Sequence, residues 1–343
     1  MRLVPVTKLK LDTKIALDIR DEHANLLITK ENIITPHNLK RLRNSNVKAV
    51  YIKDKYCFDY APDTSDPSKM FEQVVALKKA IENAMTNKST SESITDALKA
   101  IRVIVNELDK QKYCSKISYE PQKLDIADEF GEKTVYVAIM SSLFALKLGF
   151  SKQETYLICL GALLKDVALI VPELKKTVGA ASKIHPTTGY EYLIKNFNFP
   201  QEVLDIVQQH HELYNGKGYP NCLKGDRIYA GARIIAIIDM FYKVSNNYYE
   251  QGSKTLEEGF LKFSGYLDPY FLQKFWGYSH IFSPDMLVKL TNSDVAVVMS
   301  ARSFNPFQPQ VRILKSNTYQ SGTLLNLFEI PHLNISRVIH YVE

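Results

Sequence analysis

The sequence has no apolar run near the ~18 residues a membrane-spanning helix needs. Its best approach, Tyr156 to Pro172, is broken by the adjacent charges Lys165 and Asp166. A signal peptide is missing too, because the opening MRLVPVTKLKLD puts charges where the apolar stretch should stand. Cysteine is scarce. Cys57, Cys114, Cys159 and Cys222 lie far apart with no C-x-x-C spacing, which argues against a disulfide framework and for reduced thiols in a cytoplasmic protein. Excess charge of one sign is also small: 43 Lys and Arg against 37 Asp and Glu leave +6. Nucleic-acid proteins usually cluster far more positive charge than this, so neither DNA nor RNA is an expected partner. No internal repeat or low-complexity tract appears. What is present is ordinary globular material, 45% hydrophobic and 23% charged. At about 150 residues per domain, 343 residues make two to three domains able to bury a core.

Four stretches differ in periodicity. Residues 1–62 mix short strands with one short helix. Ile15 to Arg20 and Ala24 to Ile28 flank a turn-like Asp21-Glu22-His23 and predict a hairpin. Thr35-Pro36 opens a basic helix ending near Asn44, and Val47 to Ile52 reads as a returning strand. Residues 63–116 start in a linker-like run, Ala61 to Pro67. Two apolar stripes follow: Met70, Val74, Leu77, Ile81, Met85, and then Ile94, Leu98, Ile101, Val105, Leu108. They describe either a helical hairpin docked on the next domain or a stalk forming a homodimer, and the spacing leaves both open. Residues 117–290 are helical and apolar, with helices expected over 135–148, 154–171, 189–197, 200–211 and 230–244. Residues 291–343 form a small β-rich appendage, with β-type segments at 295–299, 310–314 and 325–330. The expected fold is multidomain and mainly α.

Polar residues inside the helical region carry the chemistry. Asp166 and Asp239 each stand alone in an apolar helical run, where a carboxylate needs a cation, strong donors or a raised pKa. Between them lie His185, His210 and His211. Any one of these has a bland reading, a satisfied core histidine or an Asp paired with an Arg. Together, imidazoles and carboxylates are the ligand set of Zn, Fe, Mn or Ni.

From the paired histidines the chain reads HHE at 210–212, NGKGYP at 215–220, LKG at 223–225, ARI at 232–234, and then Asp239. This resembles the HD-GYP family, helical phosphodiesterases that hydrolyse cyclic di-GMP. The resemblance is most specific between His185 and Asp239, and it implies an all-helical HD-type core for residues 117–290. Gly216 and Gly218 allow backbone angles closed to other residues, and Pro220 fixes the exit. Tyr219 presents an aromatic face and a hydroxyl near the site. The structural alternative is a plain turn with Tyr219 packed inward. In the family this loop borders the active site and is linked to partners including GGDEF-type cyclases. Gly216, Gly218, Tyr219, Pro220 and Arg233 are thus the expected substrate or partner residues.

The match also fails in places. Counting back from Leu148, an early family histidine falls on Lys133, and the HD pair itself reads Lys165-Asp166. The family's K-P-G element is gone, and Lys175 and Lys176 could stand in for it. By the family's scheme, Asp166, His185, His210 and His211 form one metal position, and it survives whole. Asp239, a share of Asp166 and the two lost histidines form the other. A protonated lysine cannot ligate a metal, but it can replace part of a metal's charge beside Asp166 and Asp239. The resemblance therefore implies a degenerate protein of cyclic di-GMP signalling, a ligand-binding or protein-interaction module with little hydrolysis. It would hold one transition metal, iron or manganese before zinc or nickel, or none. The alternative is an active phosphodiesterase on a reduced site, with Asp166 and Lys165 as catalytic residues.

Overall fold

A computed structural model describes residues 1–21, 25–45, 47–58, 74, 77, 90–113, 117, 129–178, 183–248, 252–299 and 305–342. The first apolar stripe falls almost wholly outside them. Only Val74 and Leu77 are described there, both helical and buried.

The N-terminal part is a three-stranded antiparallel sheet of Arg2–Pro5 (β1), Ala49–Lys53 (β5) and Lys14–Ile15 (β2), in the order β1-β5-β2. Ile19–Arg20 (β3) pairs with Leu26–Ile28 (β4) as a separate two-stranded ribbon. The expected hairpin therefore exists, but it is shorter than predicted. Ile15 leaves it to face Ile52 on the neighbouring strand, because its side chain belongs to the sheet's core. Pro36–Arg43 (α1) starts where the sequence places it, with the Thr35 side chain accepting from Asn38 N–H and Pro36 at the first position.

Thr90–Gln111 (α2) carries the second stripe. Ile101, Ile104, Val105 and Leu108 are buried in the chain's own core, so the docked reading holds for this helix and its apolar face is not a dimer seam. Glu129–Leu148 (α3) is buried over most of its circumference, the mark of a central helix. Around it lie Lys152–Leu164 (α4), the short Val167–Ile170 (α5) and Pro172–Val178 (α6), His185–Asn196 (α7), Gln201–Gln209 (α8) and Ala230–Tyr248 (α9). A capping box between Ser151 and Glu154 starts α4. The single helix expected over 154–171 is broken at Lys165-Asp166, and Asp166 sits near the bridge region at φ −107°, ψ 22°. Apolar periodicity could not reveal this break, because the residues on both sides are equally buried.

Ser253–Ser264 (α10) and Pro269–Tyr278 (α11) close the helical body. The β region begins at Leu287, a few residues before the pattern change at 291. Its strands are Leu287–Leu290 (β6), Val295–Val298 (β7), Gln310–Lys315 (β8), Leu324–Asn326 (β9) and Ile335–Ile339 (β10), in an antiparallel sheet ordered β10-β6-β7-β8-β9. The strand β6 was missed because Leu287-Val-Lys-Leu290 is nearly continuous in apolar character and merges with the helices before it. The two sheets meet directly. The buried Arg2 guanidinium donates to the His340 carbonyl at 2.6 Å and pairs with Asp54 at 2.5 Å, while the Phe58 N–H donates to Asp285 at 3.0 Å.

Candidate metal centre and its lysine-filled neighbour

The helix break aims the Asp166 carboxylate at the first turn of α7 and the end of α8. Asp166 Oδ1 lies 3.4 Å from both His185 Nε2 and His210 Nε2, and the two nitrogens are 3.2 Å apart. His211 completes the group, with one donor atom from each of the four residues within 4.8 Å of all the others. His210 Nδ1 is 2.9 Å from the Val207 carbonyl, a contact that only a protonated Nδ1 makes as a donor. Burial lowers the His210 pKa, so its ring stays neutral and Nε2 presents a lone pair. Burial and the neighbouring His210 push His211 down to about 2. Lone pairs and a carboxylate oxygen thus converge with little proton to share, which is an invitation to a cation. Donors bound at ~2.0–2.2 Å around one ion sit roughly 3–3.5 Å apart. The observed 3.2 and 3.4 Å spacings fit that requirement.

The other oxygen of Asp166 belongs to a different environment. Lys165, 2% exposed, places its ammonium against Asp166 Oδ2 and 3.9 Å from Asp239 Oδ1. Lys133, on α3, reaches the same Asp239 oxygen at 2.7 Å, and Lys243 approaches Asp239 Oδ2 at 3.5 Å from one turn along α9. Three ammoniums therefore face two carboxylates. Burial raises the Asp239 carboxyl, yet Lys165, Lys133 and Lys243 outweigh it and bring it to about 2. Asp166 is treated alike: burial pushes it up, and the Lys165 charge above all holds it well below the usual carboxylate range. For Lys165 burial lowers the pKa, and Asp166 and Asp239 more than restore it. A lysine held charged here repels a second metal ion and offers it no lone pair.

The loop from Leu213 to Pro220 is stiffened from below. The buried Glu212 carboxylate accepts from Asn221 N–H at 2.6 Å and Leu223 N–H at 2.9 Å. A Cβ on Gly218 would fall onto the Leu213 amide, Glu212 Cα and the His211 carbonyl, and Gly216 has φ 84°. Tyr219 stacks on His211 with ring centroids 4.8 Å apart. Burial, and then Asp166 and Asp239, raise its phenol to about 12, so it stays protonated. Lys183 lies 5.7 Å over its outer face. Arg233 does not point into this site. Its guanidinium pairs with Asp226 and Asp268, each at 2.7 Å, and braces the loop against α11. Lys175 and Lys176 lie on α6, with no contact to the cluster recorded among the described residues.

The structure thus gathers Asp166, His185, His210, His211, Lys133, Lys165, Asp239 and Tyr219. Sequence reasoning passed over Glu212 and Lys243. Glu212 stands in the HHE motif, where nothing in the sequence marks it as a brace, while Lys243 sits at i+4 from Asp239, a spacing that announces the pair.

Comparison with known proteins agrees with this geometry. Residues 180–266, which include the three histidines, the loop and Asp239, match the family model described as HD domain. A cyclic di-GMP phosphodiesterase response regulator of Xanthomonas campestris is 37% identical over 122 residues, covering 33% of this chain and 32% of that protein. A cyclic di-GMP phosphodiesterase of Pseudomonas aeruginosa is 27% identical over 135 residues, 38% of this chain and 33% of its own length. The chain spans about a third of the length of these curated relatives. A structure of an HDG"Y"P protein from Bdellovibrio bacteriovorus aligns at a TM-score of 0.46 with 19% identity, over 80% of this chain and 97% of that one. Residues 180–266 of the helical body match the HD domain, a kind that typically holds divalent metal. The matched segment is similar to that of cyclic di-GMP phosphodiesterases. No helix among the described residues is long and apolar enough to cross a membrane.

Proposed function

We propose that this protein is a degenerate HD-GYP protein of cyclic di-GMP signalling, one that binds the dinucleotide or a protein partner and hydrolyses little. The observation that supports this reading is the contact of Lys133 and Lys165 with Asp239 and Asp166, which would fill with lysines the place the family gives to a second metal. The intact cluster of Asp166, His185, His210 and His211 would hold one ion, and iron or manganese suits its imidazole and carboxylate donors. When bound, that ion supplies Lewis-acid neutralisation of a phosphodiester. Lys165 would lend its remaining positive charge to the same phosphate, and the neutral Tyr219 phenol offers a proton donor and a stacking face. A GGDEF-type cyclase is the partner we assign to the braced loop. The protein is read as cytoplasmic.

The intact four-residue cluster also favours a second reading, a working phosphodiesterase on one metal. Metal analysis with cyclic di-GMP binding and hydrolysis assays separates the two. The wild type is expected to bind cyclic di-GMP, hold one metal and turn over poorly. Lys133→His/Lys165→His is expected to gain a second ion and about a hundredfold in turnover. Brisk wild-type conversion to pGpG or GMP, abolished by His210→Ala, would favour the second reading instead.

A further inference from the structure

The charge of this chain is unevenly placed. Residues 1–58 hold 12 Lys and Arg against 6 Asp and Glu, an excess of +6 that equals the net charge of all 343 residues. The rest of the chain carries 31 of each sign. Residues 1–58 also have a core of their own, in which Val4, Ile15, Ile34, Leu42 and Ile52 are buried together. One small folded unit therefore carries the whole excess, an asymmetry that points to an anionic partner.

Most acids of this unit are engaged within it. Asp54 is held by Arg2 and Glu31 by Lys14, while Asp18 and Asp21 accept from backbone N–H groups. The excess gathers on α1, which exposes Lys40, Arg41 and Arg43 and contains no acid. The helix packs against the turn of Val6–Lys8, so the exposed Lys8 extends the same basic surface. Lys8, Lys40 and Arg43 meet no carboxylate among the described residues. A helix C-terminus carries only about half a negative charge, which three cations exceed.

Two aliphatic side chains stand beside these cations. Leu11 and Ile33 are 47% and 52% exposed. Their segments are joined, because Asp12 N–H donates to the Ile34 carbonyl at 3.0 Å and Lys14 pairs with Ile33 in an antiparallel bridge. The Asn38 side chain donates to the Ile33 carbonyl at 3.4 Å, which fixes Ile33 at the start of the basic helix. Nucleic acid uses such a surface poorly. Its sugar-phosphate backbone gives exposed aliphatics no place, and the unit offers no free aromatic for base stacking: Tyr51 is buried, and Tyr56 and Phe58 pack against the C-terminal sheet. A membrane surface uses both features, cations at the headgroups and aliphatics at the acyl boundary. We propose that this face of the N-terminal unit, α1 with Lys8, Leu11 and Ile33, docks on an anionic lipid surface. The inference goes beyond the metal site and does not depend on how that site is read.

Flotation of the full chain with lipid vesicles tests it. The chain is expected to float with phosphatidylglycerol vesicles at low salt. With phosphatidylcholine alone, or at high salt, it should remain in the dense fraction. Lys40→Gln and Arg43→Gln should each weaken binding about fivefold, and Ile33→Ser about tenfold. All three residues are exposed, so thermal unfolding should hardly move. Lys40→Arg should bind like wild type. No flotation with phosphatidylglycerol overturns the proposal. So does equal flotation with neutral vesicles, or binding indifferent to Ile33→Ser or to Lys40→Gln/Arg43→Gln. A short DNA duplex bound at the same salt while vesicles are ignored, and lost in that double variant, would overturn it in favour of nucleic acid.

Discussion

The two halves of the site share Asp166 and solve the same electrostatic problem in opposite ways. In one half, imidazole nitrogens and Asp166 Oδ1 converge on one another, a donor set whose counter-charge would be a bound cation. In the other, Lys165 and Lys133 bring the charge with the chain and close it on Asp166 Oδ2 and Asp239. A metal can be gained, lost or exchanged, and it can polarise what it touches. An ammonium on a lysine comes with the chain, has no lone pair and cannot activate water by coordination. The first half therefore has the donors that a cation needs. The second contributes to folding, since a lysine buried with its carboxylates stabilises only as long as every member is present.

The largest effect that would break this contrast comes from Lys165→Met. Removing the ammonium leaves Asp166 and Asp239 buried with less compensation, at an expected cost of about 3–5 kcal/mol in urea unfolding. Added divalent metal should recover part of that stability, because it returns positive charge to Asp166. A variant as stable as wild type without metal would mean that Lys165 is not the counter-charge argued above.

Much of this was legible in the sequence, and the reason lies in periodicity and motif order. His185, His210, His211 and Asp239 stood in recognisable positions, and the substitution at Lys165 followed from its place before Asp166. Lys133, reached by counting back from Leu148, lies 2.7 Å from Asp239. What could not be read was geometry within uniformly apolar segments. The helix break at Asp166 and the strand at Leu287–Leu290 lie where neighbours on either side are equally buried. The bracing role of Arg233 was hidden as well, because Asp268 lies 35 residues away and only tertiary packing unites them.

The intact half should respond to His210→Ala with at least a hundredfold fall in metal affinity, roughly the loss expected for one ligand with its oriented partner. Calorimetric titration with manganese measures it. The lysine half should be untouched, so stability without metal should change far less than in Lys165→Met. Equal losses in both experiments would dissolve the distinction between the halves.

Acid should reach the lysine half through Asp239 in its own window, below the pH at which the depressed histidines of the other half begin to cost stability. Asp239 ionises at about 2 in the folded chain, against ~3.9 when unfolded. Its folded-state pKa is depressed, so the stabilisation is fully present above the unfolded value and disappears as pH falls from about 4 to 2. For one such group the upper bound is about 2.6 kcal/mol. Urea midpoints across that window should fall less steeply in Asp239→Asn than in wild type. Identical slopes would place the acid sensitivity elsewhere.

The smallest expected effect concerns the loop that both halves share as a wall. Glu212 is buried, and its two carboxylate oxygens accept separately from Asn221 and Leu223 N–H. Glu212→Gln keeps the volume and one acceptor, but it sets an amide donor against one of those N–H groups. The local cost should be about 1–3 kcal/mol, the range for a buried polar group left unsatisfied. Since the bonds lie between the loop and its base, the loss should appear as faster amide exchange over 213–223, with global unfolding less affected. Metal affinity should stay near wild type, because no ligand moves. A fall in metal affinity as large as that of His210→Ala would show that the loop holds the histidines in place, and the wall would then belong to the intact half.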